Sequence, residues 1–394
     1  MEAHHKEVLD LQLRWLHLVA GIMWIGNSML FNWLDRNLLP RAGSPAGFLG
    51  EIWMVHSGGF YQVEKKMLAP SQMPAVLHWF KWQAYTTWVS GFALLLLVYY
   101  AGGYLVDPSV AALRQSTAAA VGLGALAGAW LGYDLLWRSP LARWPRLCTA
   151  LWLLMLLGVG YGLSRLLSGR AAYIHVGAML GTLMAGNVFF HIIPSQHQLV
   201  AATSEGRPQD KALGDHAKQR SIHNNYMTFP VLFTMISNHF PSTYGNARGA
   251  AVLLLLVVAG ATVRHCMNIR FYYRRWLAWL LGTVALTASL LLYVVTPPRR
   301  ATATAAERTS FRTVERVIRA RCLGCHSAAP NDEVWRVAPG GVRFDTPAEI
   351  KQHAERIKVR AVLTKTMPFQ NKTGITPEER DLLGQWIYEG AAIE

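Results

Sequence analysis

Apolar runs of about 20 residues recur along the first three quarters of this chain, and they constrain its fold more than any other feature. Only 15% of the residues are charged, and the run length is what a bilayer core of ~30 Å requires of a helix. We predict eight spans, at about residues 12–34, 84–104, 116–137, 147–167, 171–193, 222–241, 247–265 and 275–296. The expected fold is all-α, with a polytopic eight-helix transmembrane bundle over residues 1–296.

Lysine and arginine are distributed unevenly among the segments that join these runs. Most of them follow odd-numbered runs, as in the segments 36–81 and 207–220. Because positively charged loops stay in the cytoplasm, we predict a bacterial inner-membrane protein with both termini on the periplasmic side. The net charge of +15 is then a topology signal of a protein in a lipid bilayer, and it does not require a nucleic-acid partner.

The segment Cys322-Leu-Gly-Cys325-His326 has the spacing that attaches a c-type haem. Cys322 and Cys325 are predicted to bind the haem covalently, with His326 as an axial ligand of its iron. A thioredoxin-like pair or half of a zinc site would require a βαβ context or a second cysteine pair. The two other cysteines, Cys148 and Cys266, are isolated in or beside apolar runs. Haem c attachment also requires the outer side of the membrane, in agreement with the charges.

The residues around this motif predict a small haem domain over 309–394, joined to the bundle by a Pro- and Ala/Thr-rich linker at 297–308. Its first helix is expected to begin near Thr309. Met367, which precedes a proline, is the predicted second axial ligand, because His/Met ligation suits electron transfer. His353 is the alternative ligand.

The last part of the chain predicts a helix with a strong start signal. Thr376-Pro-Glu-Glu379 reads as an N-cap, a proline at the first position and a glutamate at the third. The order of helix, haem motif, Met-Pro loop and final helix resembles a class I cytochrome c. We therefore expect a small α-helical haem c domain in this region.

Histidines inside the predicted spans form two layers. Ionisable residues in membrane helices are costly and usually functional, and these layers are compatible with a b-type haem, a metal or a substrate. A single histidine is explained as well by a hydrogen bond between helices. The predicted outer layer contains His17, His175 and His239, and the inner layer contains His191, His223 and His265.

Several segments resemble the membrane-bound, cytochrome-c-linked urate oxidases (urate hydroxylases). They are residues 56–66, 78–82, 130–134, 175–190, 221–227 and 237–241. The resemblance implies an eight-helix membrane domain followed by a cytochrome c domain, and oxidation of urate to 5-hydroxyisourate in purine degradation. It also implies that electrons pass through haem c to a soluble cytochrome c or a terminal oxidase, without hydrogen peroxide formation.

Urate is a planar anion at neutral pH, so its site needs positive charge or backbone donors, amide groups, an aromatic wall and a base such as histidine. The predicted catalytic residues are His17, His175, His239 and Asn238. The predicted substrate-binding residues are His56, Glu64, Lys65, Asn224 and Asn225. A site near the outer face would lie beside the haem domain, whereas a cytoplasmic site would need an intermediate carrier such as haem b.

Two other functional classes stay open. In one, the bundle is an electron-transfer subunit that binds quinol and haem b and reduces its own cytochrome c domain. In the other, it is a transporter or sensor, although the repeats and broken helices typical of transporters are not evident. The loop 35–83 is predicted to be either a lid that folds back on the bundle or a solvated loop.

Overall fold

The computed structural model describes residues 3–296 and 309–393, so the predicted linker at 297–308 lies outside the described residues. The first region is mostly helical, with π-helical turns at Leu95–Tyr100 and Asn187–Ile192. Its helices are α1 (Ala3–Asn37), α2 (Trp82–Leu94), α3 (Gln115–Arg138), α4 (Pro145–Leu166), α5 (Gly169–Gly186), α6 (Ile193–Ser204), α7 (Lys211–Ile236), α8 (Pro241–Tyr244), α9 (Gly249–Ile269) and α10 (Trp276–Val295).

All eight predicted spans fall mainly in helices, and six helices of the described residues are long and apolar enough to cross a membrane. These six are His5–Asn37, Gln115–Arg138, Pro145–Leu166, Gly169–Ser204, Gly249–Ile269 and Trp276–Val295. The runs 84–104 and 222–241 fall in α2 and α7, which carry more polar side chains and are not among the six. Eight crossings therefore stay a prediction.

Helix α5 lies at the centre of this region, since most of its residues are buried. Leu180 and Leu183 are fully enclosed in the core that α5 shares with α3, α4, α7 and α9. Close packing depends on small residues, because a Cβ atom at Gly177 would lie 2.9 Å from Cβ of Thr234 in α7. In contrast, no residue of α10 is buried, which leaves that helix free to face lipid.

The segment 35–83 contains a β-hairpin, so the all-α prediction is wrong there. Strand β1 (Phe48–His56) pairs antiparallel with β2 (Gly59–Lys66). The two turn residues, Ser57 and Gly58, have φ of 51° and 76°, the left-handed conformation that two-residue hairpins favour. Ser-Gly between two runs rich in aromatic and β-branched residues was the signal for it. Phe60 is 79% exposed, which argues against a lid packed into the bundle.

The second described region has its own apolar core. Its helices are α11 (Phe311–Arg321), α12 (Pro347–Gln352), α13 (Ala354–Ile357) and α14 (Pro377–Tyr388). The predicted capping box of α14 is confirmed, because Thr376 accepts from the Glu379 backbone and Glu379 accepts from the Thr376 backbone. Trp386 of this helix is 1% exposed and packs at 5.9 Å from the Phe311 ring. The first and last helices are thereby joined.

Candidate functional site

The residues around the Cys-x-x-Cys-His motif fit a covalently attached haem. Both thiols are free, and burial raises the pKa of Cys322 to about 12. The Nδ1 atom of His326 lies 2.9 Å from the carbonyl oxygen of Val342. Because a carbonyl only accepts, Nδ1 carries the proton and Nε2 keeps a free lone pair. Burial lowers the pKa of His326, which favours the neutral imidazole that coordinates iron.

The loop of the predicted second ligand, Met367, is held by its backbone. The Met367 N–H donates to the carbonyl of Arg360 at 2.9 Å, and its carbonyl accepts from Arg380 Nη1 at 2.7 Å. The alternative ligand, His353, caps the end of α12, and its ring lies 6.0 Å from that of Phe344. The fixed loop suits a ligand role for Met367, which stays a prediction.

A buried polar cluster lies where the C-terminal end of α3, the π-helical turn after α5 and the first half of α7 meet. We call it the arginine centre; its members are Tyr133, Asp134, Asn187, His191, His216, Arg220, His223 and Asn224. Arg220 is fully buried, and its Nη2 atom donates to Asp134 Oδ1 at 3.0 Å. Its guanidinium also lies 5.0 Å from the Tyr133 ring. The centre thus combines a buried cation, amides and aromatic rings.

Three members of the arginine centre form a chain of hydrogen bonds. His191 Nε2 donates to Asp134 Oδ1 at 2.6 Å, because the carboxylate can only accept. The Nδ1 atom of His191 then accepts from His216 Nε2 at 3.1 Å. His191 is buried whereas His216 is half-buried near the start of α7. This arrangement can carry a proton between the centre and the end of the bundle.

A second polar cluster lies at the opposite end of α5. We call it the tyrosine group; its members are Tyr99, Tyr100, Arg170, His175 and Asn238. His175 is fully buried, with Nδ1 donating to the Ala171 carbonyl at 2.8 Å and Nε2 accepting from Tyr100 at 2.9 Å. Asn238 Oδ1 accepts from Tyr99 and from Arg170, both at 3.1 Å. Two predicted catalytic residues, His175 and Asn238, therefore belong to one group.

The other two predicted catalytic residues lie elsewhere. His17 joins α1 to α2 through the Thr87 carbonyl at 2.9 Å and Ser90 Oγ at 3.2 Å. This is the ordinary role of a polar side chain between membrane helices. His239 is exposed in the short turn after α7. The structure thus brings together only half of the predicted catalytic set.

The predicted substrate-binding residues also separate. His56, Glu64 and Lys65 lie on the hairpin, where Glu64 pairs with Arg41 at 3.1 Å and Lys65 with Asp35 at 2.6 Å. Asn224 is a member of the arginine centre. Asn225 points to another pair, accepting from Arg264 Nε at 3.0 Å and from Asn268 at 2.8 Å. The hairpin residues are therefore not part of the buried clusters.

An intermediate haem b stays a prediction, and two of the histidines in the predicted layers are not suited to bind its iron. Both ring nitrogens of His175 and of His191 already make hydrogen bonds, so neither presents a free atom to iron. No group of three or more His, Cys, Asp or Glu side chains that could hold a metal ion occurs among the described residues.

The C-terminal region contacts the bundle beside the tyrosine group. The ring of Phe369, two residues after Met367, lies 4.7 Å from that of Tyr104. The Gln370 amide donates to the carbonyls of Gly103 and Val106, the latter at 2.8 Å. We call this the docking contact. Tyr104 in turn lies 6.3 Å from Tyr99 and under the Arg170 guanidinium at 4.9 Å.

Sequence reasoning missed the role of Arg220, which it counted only as a cytoplasmic charge. The available signal was helical spacing, because His216, Arg220 and Asn224 are four residues apart and share one face of α7. Asn187 and His191 repeat this spacing after α5, and Asp134 is the acid among their partners. The segments that carried the family resemblance, 130–134, 175–190 and 221–227, all contribute to this centre.

Comparison with known proteins assigns the bundle to a family. No curated protein and no solved structure matches the chain. Residues 3–296, which contain both polar clusters, match the family model described as urate oxidase N-terminal. The match covers most of the chain, and the chain therefore belongs to the urate oxidase N-terminal family.

Proposed function

We propose that this protein oxidises urate to 5-hydroxyisourate in its membrane domain and passes the electrons to a haem c bound in its C-terminal domain. Family membership supports a urate-related oxidative role, and the Cys322–His326 motif supports haem c as the acceptor. The observation that carries the proposal is the docking contact. It seats the loop of Met367 on the membrane domain, through Phe369 and Tyr104.

The reaction sets requirements that the described residues meet. Urate and one water give 5-hydroxyisourate, two electrons and two protons. A bound haem c would accept one electron at a time, so each urate reduces two haems. The protons need an acceptor, and the Asp134 carboxylate, which is hydrogen-bonded through His191 to the half-buried His216, can take one.

Residues of the C-terminal domain would hold the haem. Cys322 and Cys325 would form the covalent bonds, and His326 and Met367 would be the axial ligands. We propose that this domain lies on the periplasmic side of a bacterial inner membrane, where it would reduce a soluble cytochrome c or a terminal oxidase. Electrons would then enter respiration without formation of hydrogen peroxide.

The proposal is tested by adding urate anaerobically to the purified, oxidised, full-length protein. We expect the reduced c-type bands to grow as urate absorbance falls, with two haems reduced per urate and no hydrogen peroxide. Xanthine serves as the matched control, because it lacks the oxygen at C8 that makes urate electron-rich. Absence of reduction by urate, together with rapid reduction by a quinol, would instead favour the electron-transfer subunit.

A further inference from the structure

The charges of the arginine centre do not balance. Asp134 is the carboxylate that faces Arg220, and the same carboxylate also pairs with Arg138 at 3.1 Å through its second oxygen. The histidines around it are His191, His216 and His223. A histidine is either neutral or positively charged, so these residues add no negative charge. Two guanidinium groups therefore share one negative charge.

Arg220 also has unused hydrogen-bonding capacity. Its Nε atom is buried and has no partner, and its Nη1 atom reaches Asn187 Oδ1 only at 3.5 Å, the outer limit of a hydrogen bond. Two of its three nitrogens therefore lack a good acceptor. A fully buried guanidinium in this condition is costly unless an anion or another acceptor completes it.

The groups around Arg220 match the chemistry of a planar heterocyclic anion. Guanidinium forks bind paired oxygen or nitrogen acceptors in one plane. The amides of Asn187 and Asn224 meet at 2.9 Å, and such groups can bond to carbonyl and N–H edges. Tyr133 lies under the guanidinium at 5.0 Å, and Trp130 lies 6.2 Å from Tyr133. Aromatic side chains thus flank the unused donors.

We propose that the arginine centre is the binding site of the urate monoanion, with Arg220 as its counter-charge and Asn187 and Asn224 as its hydrogen-bonding partners. This inference rests on the proposed function for the identity of the anion. It places the substrate at the end of α5 that is opposite to His175. Bound urate would replace the long contact between Arg220 Nη1 and Asn187 and would supply an acceptor to Nε.

The arginine centre lies far from the contact through which electrons would leave the bundle. Asn187 and His175 are 12 residues apart along α5, or about 18 Å at 1.5 Å per residue. The tyrosine group and the docking contact lie at the His175 end. Binding and electron exit are therefore assigned to opposite ends of one helix, and this arrangement requires the intermediate carrier that was expected for a cytoplasmic site.

The test measures binding without turnover. Full-length protein in detergent is first reduced chemically, so that its haem cannot accept electrons, and equilibrium dialysis with labelled urate then gives the dissociation constant. We expect Arg220→Gln to bind urate at least about 30-fold more weakly, the usual result of removing one partner of a buried charge pair. Arg220→Lys keeps the charge but not the planar fork, so about a tenfold loss is expected.

Two controls accompany these variants. Arg146→Gln removes an exposed arginine at the start of α4, outside the arginine centre, and should leave urate affinity within about twofold. Hypoxanthine, a neutral purine at pH 7, should compete poorly with urate. The visible haem spectrum and the thermal unfolding temperature show whether each variant is folded. If Arg220→Gln does not fold, Arg220→Lys still provides a test, because it keeps a positively charged partner for Asp134.

The possible results test the proposed urate site and the proposed function independently. Wild-type affinity in folded Arg220→Lys and Arg220→Gln proteins would overturn the site, even if urate still reduced the haem. No binding of urate to the wild-type protein would overturn it as well. Arg220-dependent binding in a protein that urate never reduces would support the site and overturn the proposed function.

Discussion

The aromatic rings of Tyr104 and Phe369 lie 4.7 Å apart, although 265 residues separate them in the chain. One belongs to the helical bundle and the other follows Met367 in the C-terminal region. Their contact is the point at which a chemical change in the bundle can reach the predicted electron acceptor.

Replacing Tyr104 by alanine should weaken the docking contact. An aromatic pair contributes about 1 kcal/mol beyond its buried area, so the equilibrium constant for docking should fall about fivefold. We expect urate-dependent haem reduction to slow by up to the same factor in stopped-flow measurements. Reduction by a small chemical reductant should be unchanged, as should the urate-dependent rate of Tyr161→Ala, which alters an exposed tyrosine of α4. An unaltered rate in Tyr104→Ala would show that this contact is not the route.

Gly122 should be essential for the pair formed by Tyr100 and His175. A Cβ atom at this position would lie 2.6 Å from His175 Nε2, so alanine must displace the imidazole. We expect Gly122→Ala to lower the urate-dependent rate on the order of 10- to 100-fold, the usual effect of small misplacements at a functional site. Gly124→Ala is the matched control, because a Cβ atom there meets nothing within 4 Å. Equal rates in the two variants would contradict a role for this pair.

Met367→Ala should lower the reduction potential of the haem. A methionine ligand raises the potential, and we expect a fall on the order of 0.1 V, a fraction of the ~0.8 V over which axial ligands act. Redox titration of the full-length protein measures it. His353→Ala should leave the potential unchanged. A changed potential in His353→Ala, with none in Met367→Ala, would identify His353 as the ligand.

The stability of the haem domain should decline in acid partly through Glu379. Burial alone would raise the pKa of Glu379, but hydrogen bonds from Arg321 and the Thr376 backbone, with the charge of Arg321, lower it. A carboxylate with a lowered pKa stabilises the fold above its unfolded pKa of about 4.3, and the stabilisation is lost as pH falls below that value. The temperature of unfolding, followed at the haem band, should therefore fall more steeply between pH 6 and 3 in wild type than in Glu379→Gln. Parallel slopes would contradict this.

Much of the fold could be predicted from local signals. Apolar run length located the helices, and the spacing Thr376-Pro-Glu-Glu379 located the start of α14 to the residue. The hairpin was missed because its turn, Ser57-Gly58, is not among the strongest hairpin dipeptides and its strands expose aromatic side chains on a surface. Whether an aromatic side chain of a strand is exposed depends on the neighbouring parts of the structure, and the spacing of apolar residues in the sequence does not show this.

The candidate site was only half predictable for a different reason. Motifs identify residue types, but which of them meet depends on the rotation of each helix about its axis. His17, His175 and His239 lie at similar predicted depths, yet His17 faces α2, His175 faces Tyr100 and His239 is exposed. Arg220 was read as a loop charge because α7 begins at Lys211, well before its apolar part.

The docking contact also bears on how freely this protein can change during evolution. Gln370 bonds to the main-chain carbonyls of Gly103 and Val106, and every residue type supplies such a carbonyl. The loop between α2 and α3 can therefore change in sequence without losing its contact with the C-terminal domain, provided that its backbone path is kept. Gln370 contributes its side chain to these hydrogen bonds, so it cannot be replaced as easily. The contact between the bundle and the C-terminal domain therefore depends more on the sequence of the C-terminal domain.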